Sequence, residues 1–197
     1  MYDYIKGELV ETNPTEAVIE NNGIGYKLQI SLQTFADIQT LKETKLYIYH
    51  HVREDVELFY GFSSKEERSV FTMLIEVNGI GPNTARMMLS SLNSQEIKTA
   101  ILSGDVNKIK SIKGIGIKTA QRVIIDLKDK IGKAESSDTP AELFVQTTTS
   151  PVASEALSAL VLLGFNKASA DKVVKAILKE EPNCTLENLI KLSLKRL

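Results

Sequence analysis

The chain is poor in the residues that mark most chemical sites. Its 197 residues include one cysteine, Cys184, which excludes an intramolecular disulfide and a cysteine-rich zinc centre. Its two histidines, His50 and His51, are adjacent, and on a strand they point to opposite faces, so no metal site is assigned. No apolar run approaches the roughly 20 residues of a membrane span. The segment Met1-Tyr2-Asp3-Tyr4-Ile5-Lys6 lacks the basic flank and apolar stretch of a signal peptide, and the chain reads as cytosolic. There is no Walker-type phosphate loop, nucleophile elbow or Ser/His/Asp set, so no catalytic residue and no cofactor is assigned.

What is present is a folded composition: 43% hydrophobic residues, with 24 basic against 25 acidic side chains. The net charge of −1 hides an asymmetry. Residues 1–62 carry 5 Lys/Arg and 10 Asp/Glu, residues 63–132 carry 11 and 7, and residues 133–197 carry 8 and 8. Between Asp105 and Asp126 lie Lys108, Lys110, Lys113, Lys118 and Arg122 with no acid among them. The middle third is either the electrostatic footprint of a polyanion partner or a solvated basic helix face.

Periodicity divides the chain along the same lines. Up to residue 62 the pattern is β: residues 3–11, then Ala17–Glu20 and Ile24–Ile30 around Asn21-Asn22-Gly23, then Leu46–His50 and Val56–Phe62, with a short helix from Leu32 to Ile38. Five strands and one helix in that length predict a small closed barrel of the oligonucleotide-binding type. From Ser63 the period is helical. Ser64 and Glu67 predict a capping box, and Ala120, Val123, Ile124, Leu127 and Ile131 form a buried stripe. Residues 132–151 lose periodicity and predict a flexible linker, with Leu143-Phe144-Val145 as an apolar island. Residues 152–197 predict three short helices, at about 152–163, 167–179 and 185–195, sharing a core too small to be more than marginal alone, and so suited to a tethered docking module. The expected architecture is α+β and multidomain: barrel 1–62, helical domain 63–131, linker 132–151, three-helix domain 152–197.

The most informative feature is a repeat. Val77-Asn78-Gly79-Ile80-Gly81-Pro82-Asn83-Thr84-Ala85 recurs 35 residues later as Ile112-Lys113-Gly114-Ile115-Gly116-Ile117-Lys118-Thr119-Ala120, each copy between apolar helices. This is a doubled helix-hairpin-helix pattern. The glycines allow backbone angles closed to other residues, and their missing Cβ lets a phosphate come close. Ile80 and Ile115 turn inward as anchors, while N–H groups at the start of the following helix face the phosphate. Such contacts hold a duplex without reading its bases. Asn78, Gly79, Gly81, Asn83 and Thr84 in the first copy are the candidate DNA contacts. Lys113, Gly114, Gly116, Lys118, Thr119 and Arg122 are their counterparts in the second. A single such turn is more simply a glycine-capped helix end; two copies favour the duplex.

Val52-Arg53-Glu54-Asp55-Val56-Glu57 joins two strands and by spacing alone reads as a polar hairpin turn. With the barrel, doubled hairpin, linker and small helical domain in this order, the chain resembles the RuvA family over nearly its whole length. The resemblance is most specific in Val52–Asp55 followed by Leu58-Phe59-Tyr60-Gly61-Phe62, in both hairpins, and in Leu162-Leu163-Gly164-Phe165. It implies a non-enzymatic scaffold: a homotetramer, or two tetramers as an octamer, holding a four-way (Holliday) DNA junction open for branch migration. It implies that Glu54 and Asp55 form an acidic pin at the junction centre. It implies that the last domain recruits the RuvB ATPase motor, with the RuvC resolvase in the same complex and no membrane partner; Leu157, Leu160 and Val161 are either core of that domain or its contact with the motor, which periodicity does not distinguish. Positions 83 and 117, often basic in that family, are Asn83 and Ile117 here. The rival readings are a helix-hairpin-helix DNA glycosylase using Lys118 and Asp126, and a protein-only adaptor with a ubiquitin-associated-like domain.

Overall fold

The computed structural model describes residues 2–138, 151–182 and 184–197, and divides into two compact units, residues 1–140 and 141–197. In the first unit, β1 (Tyr4–Asn13), β2 (Glu16–Asn21), β3 (Ile24–Ile30), β4 (Glu43–Val52) and β5 (Glu57–Phe62) close a barrel in the order β1-β2-β3-β5-β4. Every pair is antiparallel except β3 with β5. The β2–β3 turn needs two consecutive positive-φ residues, and Asn22 (51°) with Gly23 (80°) supplies them. Alternation then places Ile5, Ala17, Ile19, Leu28, Ile30, Leu46 and Ile48 inside.

Between β3 and β4 lies α1 (Leu32–Ile38), capped by Ser31, whose hydroxyl accepts from the Thr34 N–H. Five helices follow: α2 (Lys65–Ile75), α3 (Pro82–Ser91), α4 (Ser94–Ser103), α5 (Val106–Lys110) and α6 (Ile117–Asp138). Their core of Phe71, Leu74, Met88, Leu89, Ile97, Ile101, Val123 and Leu127 also takes in Tyr60 and Phe62 from β5. Barrel and helices therefore share buried side chains, which fixes one against the other.

Two expectations need correction. Ser64 caps α2 by accepting from the Glu67 N–H, but Glu67 does not return the bond as a capping box would. Its carboxylate instead takes hydrogen bonds from the hydroxyls of Ser31 and Thr34, the latter at 2.6 Å, and is fully buried. The helix expected to end near Ile131 continues through Gly132 to Asp138. One glycine inside a helix costs only about 1 kcal/mol, which the good helix formers Lys133, Ala134 and Glu135 outweigh. Residues 139–150 of the expected linker, with Pro140 and Leu143-Phe144-Val145, lie outside the described residues, and its last residue, Pro151, opens a helix.

The second unit holds α7 (Pro151–Leu162), α8 (Lys167–Glu180) and α9 (Leu186–Arg196) around Ala153, Ala156, Leu160, Ala170, Val174, Ile177 and Leu189. Gly164, at φ 95°, ends α7 and lets the Phe165 N–H reach the Leu160 carbonyl.

Candidate nucleic-acid interface

The two hairpins repeat in backbone detail. Gly79 and Gly114 have φ of 95° and 89°, a region an L side chain rarely enters. Ile80 and Ile115 are buried, and their N–H groups donate to the carbonyls of Val77 and Ile112 at 3.0 and 3.1 Å. Ala85 and Ala120 then close the first helical turns onto Gly81 and Gly116, both at 2.9 Å. The inward anchors are as expected.

The second glycine of each hairpin differs from the first. Gly81 is extended (φ −87°, ψ 169°), Gly116 has no positive φ, and a Cβ at either would meet nothing within 4 Å. Neither conformation nor internal packing calls for glycine there. What remains is the space outside, where the bare backbone lets a ligand approach. Gly81 is the N-cap of α3 and offers no side-chain bond, so the N–H groups of Asn83 and Thr84 open the helix uncapped. Lys118 and Thr119 occupy the same places in α6.

The hairpins differ in side chains. In the second, Lys113, Lys118 and Arg122 are exposed and belong to none of the ion pairs among the described residues. Lys118 and Arg122 border one shallow depression along α6 with Gln121, Ile125 and Asp126. Every residue lining it is on α6, so Lys118 and Asp126 face no enclosing lobe that could hold a flipped base. The first hairpin has no such cations. Asn78 is exposed, but the Asn83 amide oxygen accepts from the Tyr60 hydroxyl at 3.3 Å. The nearby Arg86 reaches back into the barrel, donating to the Thr15 carbonyl (2.9 Å) and Gln29 Oε1 (3.0 Å).

Glu54 and Asp55 are exposed at the tip between β4 and β5, closed below by the Arg53 N–H to the Val56 carbonyl at 2.8 Å. The first hairpin is thus tied to the strand that leads from this tip, since Tyr60, the fourth residue of β5, bonds to Asn83.

Several residues that hold the site together were not singled out by sequence. Tyr60 looks like an ordinary strand aromatic, yet burial pushes its hydroxyl above the usual range. Burial likewise pushes the Glu67 carboxyl up, and the hydrogen bonds from Ser31 and Thr34 oppose that shift without cancelling it. Glu67 was legible only as a capping residue. Arg86 carried no local signal.

In the second unit, Leu160 is fully buried among α8 and α9 residues, so of its two readings, core or partner contact, the structure gives core and removes it from the contact. Leu157 is half-buried against the same core. Val161 is 42% exposed and is followed by Leu162 at 88% and Leu163 at 62%, the larger apolar surface. Among the described residues no group of His, Cys, Asp or Glu could hold a metal ion, and no helix is long and apolar enough to cross a membrane.

A closed barrel fused through a common core to a doubled hairpin, with a separate three-helix unit, defines a tandem helix-hairpin-helix protein of the DNA-binding class. Residues 1–61 match the RuvA N terminal domain, residues 71–129 a SAM-like helix-hairpin-helix tandem, and residues 151–197 the RuvA C-terminal domain. The chain is 50% identical over 201 residues to a Bacteroides thetaiotaomicron protein and 52% identical over 198 residues to one from Christiangramia forsetii. A Flavobacterium psychrophilum protein is 48% identical over 197 residues. Each alignment covers both chains completely, and each relative is named Holliday junction branch migration complex subunit RuvA. The chain belongs to the RuvA family.

Proposed function

We propose that this chain binds four-way DNA junctions by structure rather than sequence and serves as the DNA-holding subunit of a branch migration complex. The observation that carries the reading is the pair of second glycines, Gly81 and Gly116, which nothing inside the fold requires. The relatives' shared name supplies the junction. Backbone N–H groups of Gly81, Asn83 and Thr84 and of Gly116–Thr119 hold phosphates, and Lys113, Lys118 and Arg122 add charge.

Four copies form a homotetramer, one or two of which clasp the DNA. The domains act as barrel 1–62, hairpin platform 63–131 and tethered module 152–197. The exposed Glu54 and Asp55 of four copies bring eight carboxylates to one axis, repelling phosphates and steering strands between arms. The C-terminal unit recruits RuvB, where ATP is hydrolysed, with Leu157 and Val161 at the edge of the contact and Leu162 and Leu163 at its centre. RuvC joins the same complex in the cytoplasm. The chain itself performs no catalysis and needs no cofactor.

A competition gel shift tests the reading. A labelled immobile four-way junction is challenged with excess linear duplex made from the same arms. The complex is expected to persist, and equal competition by duplex would remove the junction from the reading. Glu54→Gln with Asp55→Asn is expected to strengthen binding to plain duplex. Unchanged or weaker duplex affinity would remove the pin.

A further inference from the structure

The barrel is acidic, with only five basic residues before position 63, yet two of them meet on one outer face. Tyr4 pairs with Tyr47 across β1 and β4, and Lys6 pairs with Lys45 two residues along. Alternation turns all four side chains out of the barrel interior, and Tyr47, half-buried, packs against the helical core while the other three are exposed. Lys45 Nζ lies 3.9 Å from the Tyr4 ring centre and 5.0 Å from that of Tyr47. From α2, Lys65 Nζ stands 5.8 Å and the Arg68 guanidinium 5.4 Å from the Tyr47 ring. Four cations and two tyrosines thus share one patch. Its acidic neighbour is Asp3, paired with Arg68 at 2.7 Å, and Glu8 and Glu43 bound it in the next outward-facing row.

A cavity of about 410 Å³ adjoins the patch. Tyr2, Tyr4, Tyr26 and Phe59 provide aromatic walls, and Lys6 and Asn21 stand at its edge. Tyr2 and Tyr4 are 53% and 52% exposed, and Tyr2 meets Phe59 edge-on with ring centres 5.3 Å apart. The Asn21 amide is already engaged, donating to the Lys6 carbonyl at 2.7 Å.

Aromatic walls with a cationic rim suit a flat ring carrying negative charge. In a duplex the base faces are covered by their neighbours, so only an unpaired nucleotide can offer one. The hairpins have the opposite character, with backbone donors and no exposed ring. We propose that the β1–β4 face and its cavity form a second nucleic-acid subsite, specific for single-stranded DNA. Tyr4 and the cavity aromatics stack on bases, and Lys6, Lys45 and Lys65 take phosphates. The subsite leans on the junction reading only in choosing DNA as the polyanion.

The test uses the full-length protein and fluorescence anisotropy with a labelled oligothymidine of about 12 nucleotides, within the range such grooves hold. Wild type is expected to bind it about tenfold tighter than an abasic oligomer of equal length, the scale of one stacked base. Tyr4→Ala and Lys45→Ala are each expected to weaken oligothymidine binding about tenfold while four-way junction binding is unchanged, and Tyr4→Phe, which keeps the ring, to restore it. Gly81→Val with Gly116→Val should do the reverse. Failure of the wild-type protein to bind the four-way junction, with the oligomer still bound, would sink the junction reading and leave the subsite standing. Equal binding of the abasic oligomer, or wild-type binding by Tyr4→Ala and Lys45→Ala, overturns the subsite. A fall in molar mass of Tyr4→Ala by light scattering also overturns it, because the face would then be a contact between copies.

Discussion

Hairpin one, at residues 78–84, and hairpin two, at 113–119, share their backbone devices: one left-handed glycine, one buried isoleucine, and before the helix one glycine without a positive φ. Their surroundings separate them. The first is bolted to the barrel through Tyr60–Asn83 and Arg86, and presents no unpaired cation. The second carries Lys113, Lys118 and Arg122 into solvent. In the proposed complex one hairpin sets register relative to the acidic tip, and the other supplies attraction. Backbone geometry, common to both, is therefore separable from charge, which belongs to one.

The sharpest way to break this comparison is to discharge the second hairpin. Lys118→Ala with Arg122→Ala is expected to lower junction affinity roughly tenfold at physiological salt and to reduce the logarithmic salt slope by about 2. Asn83→Ala in the first hairpin is expected to leave that slope unchanged. Binding titrations over a range of salt concentrations check both.

A smaller effect lies in the joint that holds the first hairpin's platform on the barrel. Burial raises the folded-state value of Glu67, so the folded chain holds that proton more tightly than the unfolded one. Its contribution to stability is present below the ordinary glutamate value and is lost as pH rises through the raised one. Denaturant unfolding should show wild-type stability declining, as pH rises above the ordinary glutamate range, more than that of Glu67→Gln, which has nothing to titrate there. Parallel profiles would contradict the assignment. The smallest effect is expected from Tyr60→Phe. Losing one long hydrogen bond costs less than about 1 kcal/mol in denaturant unfolding and leaves the salt slope untouched.

Much of this was legible because the signals are local. Alternation in Ala17–Ile30 specified two strands, and the Asn21-Asn22-Gly23 turn specified their hairpin. The repeated Gly-Ile-Gly specified both anchors. What escaped was long-range. Glu67 sits three residues after Ser64, a spacing that predicts a reciprocal cap, but the hydroxyls of Thr34 in α1 and of its N-cap Ser31, more than 30 residues earlier, donate to the carboxylate instead. Leu160 and Val161 are neighbours in a helix, and periodicity alone did not separate core from surface, whereas packing of α8 and α9 does. Gly132 suggested an end to α6, and the helix formers after it carried the helix on. The two glycines of each hairpin look equivalent in sequence; only their φ angles separate the one the chain requires from the one that the proposed reading assigns to a ligand.

That last distinction is the centre of the account, and one measurement addresses it. Gly81→Val with Gly116→Val changes positions where a Cβ meets nothing within 4 Å and no left-handed angle is needed, so the fold should lose only about 1 kcal/mol per helix start. Four-way junction affinity of that folded variant is expected to fall at least about a hundredfold, the scale of one charged hydrogen bond lost at each hairpin. Junction binding at wild-type strength would contradict the claim that these two bare stretches of backbone hold the DNA.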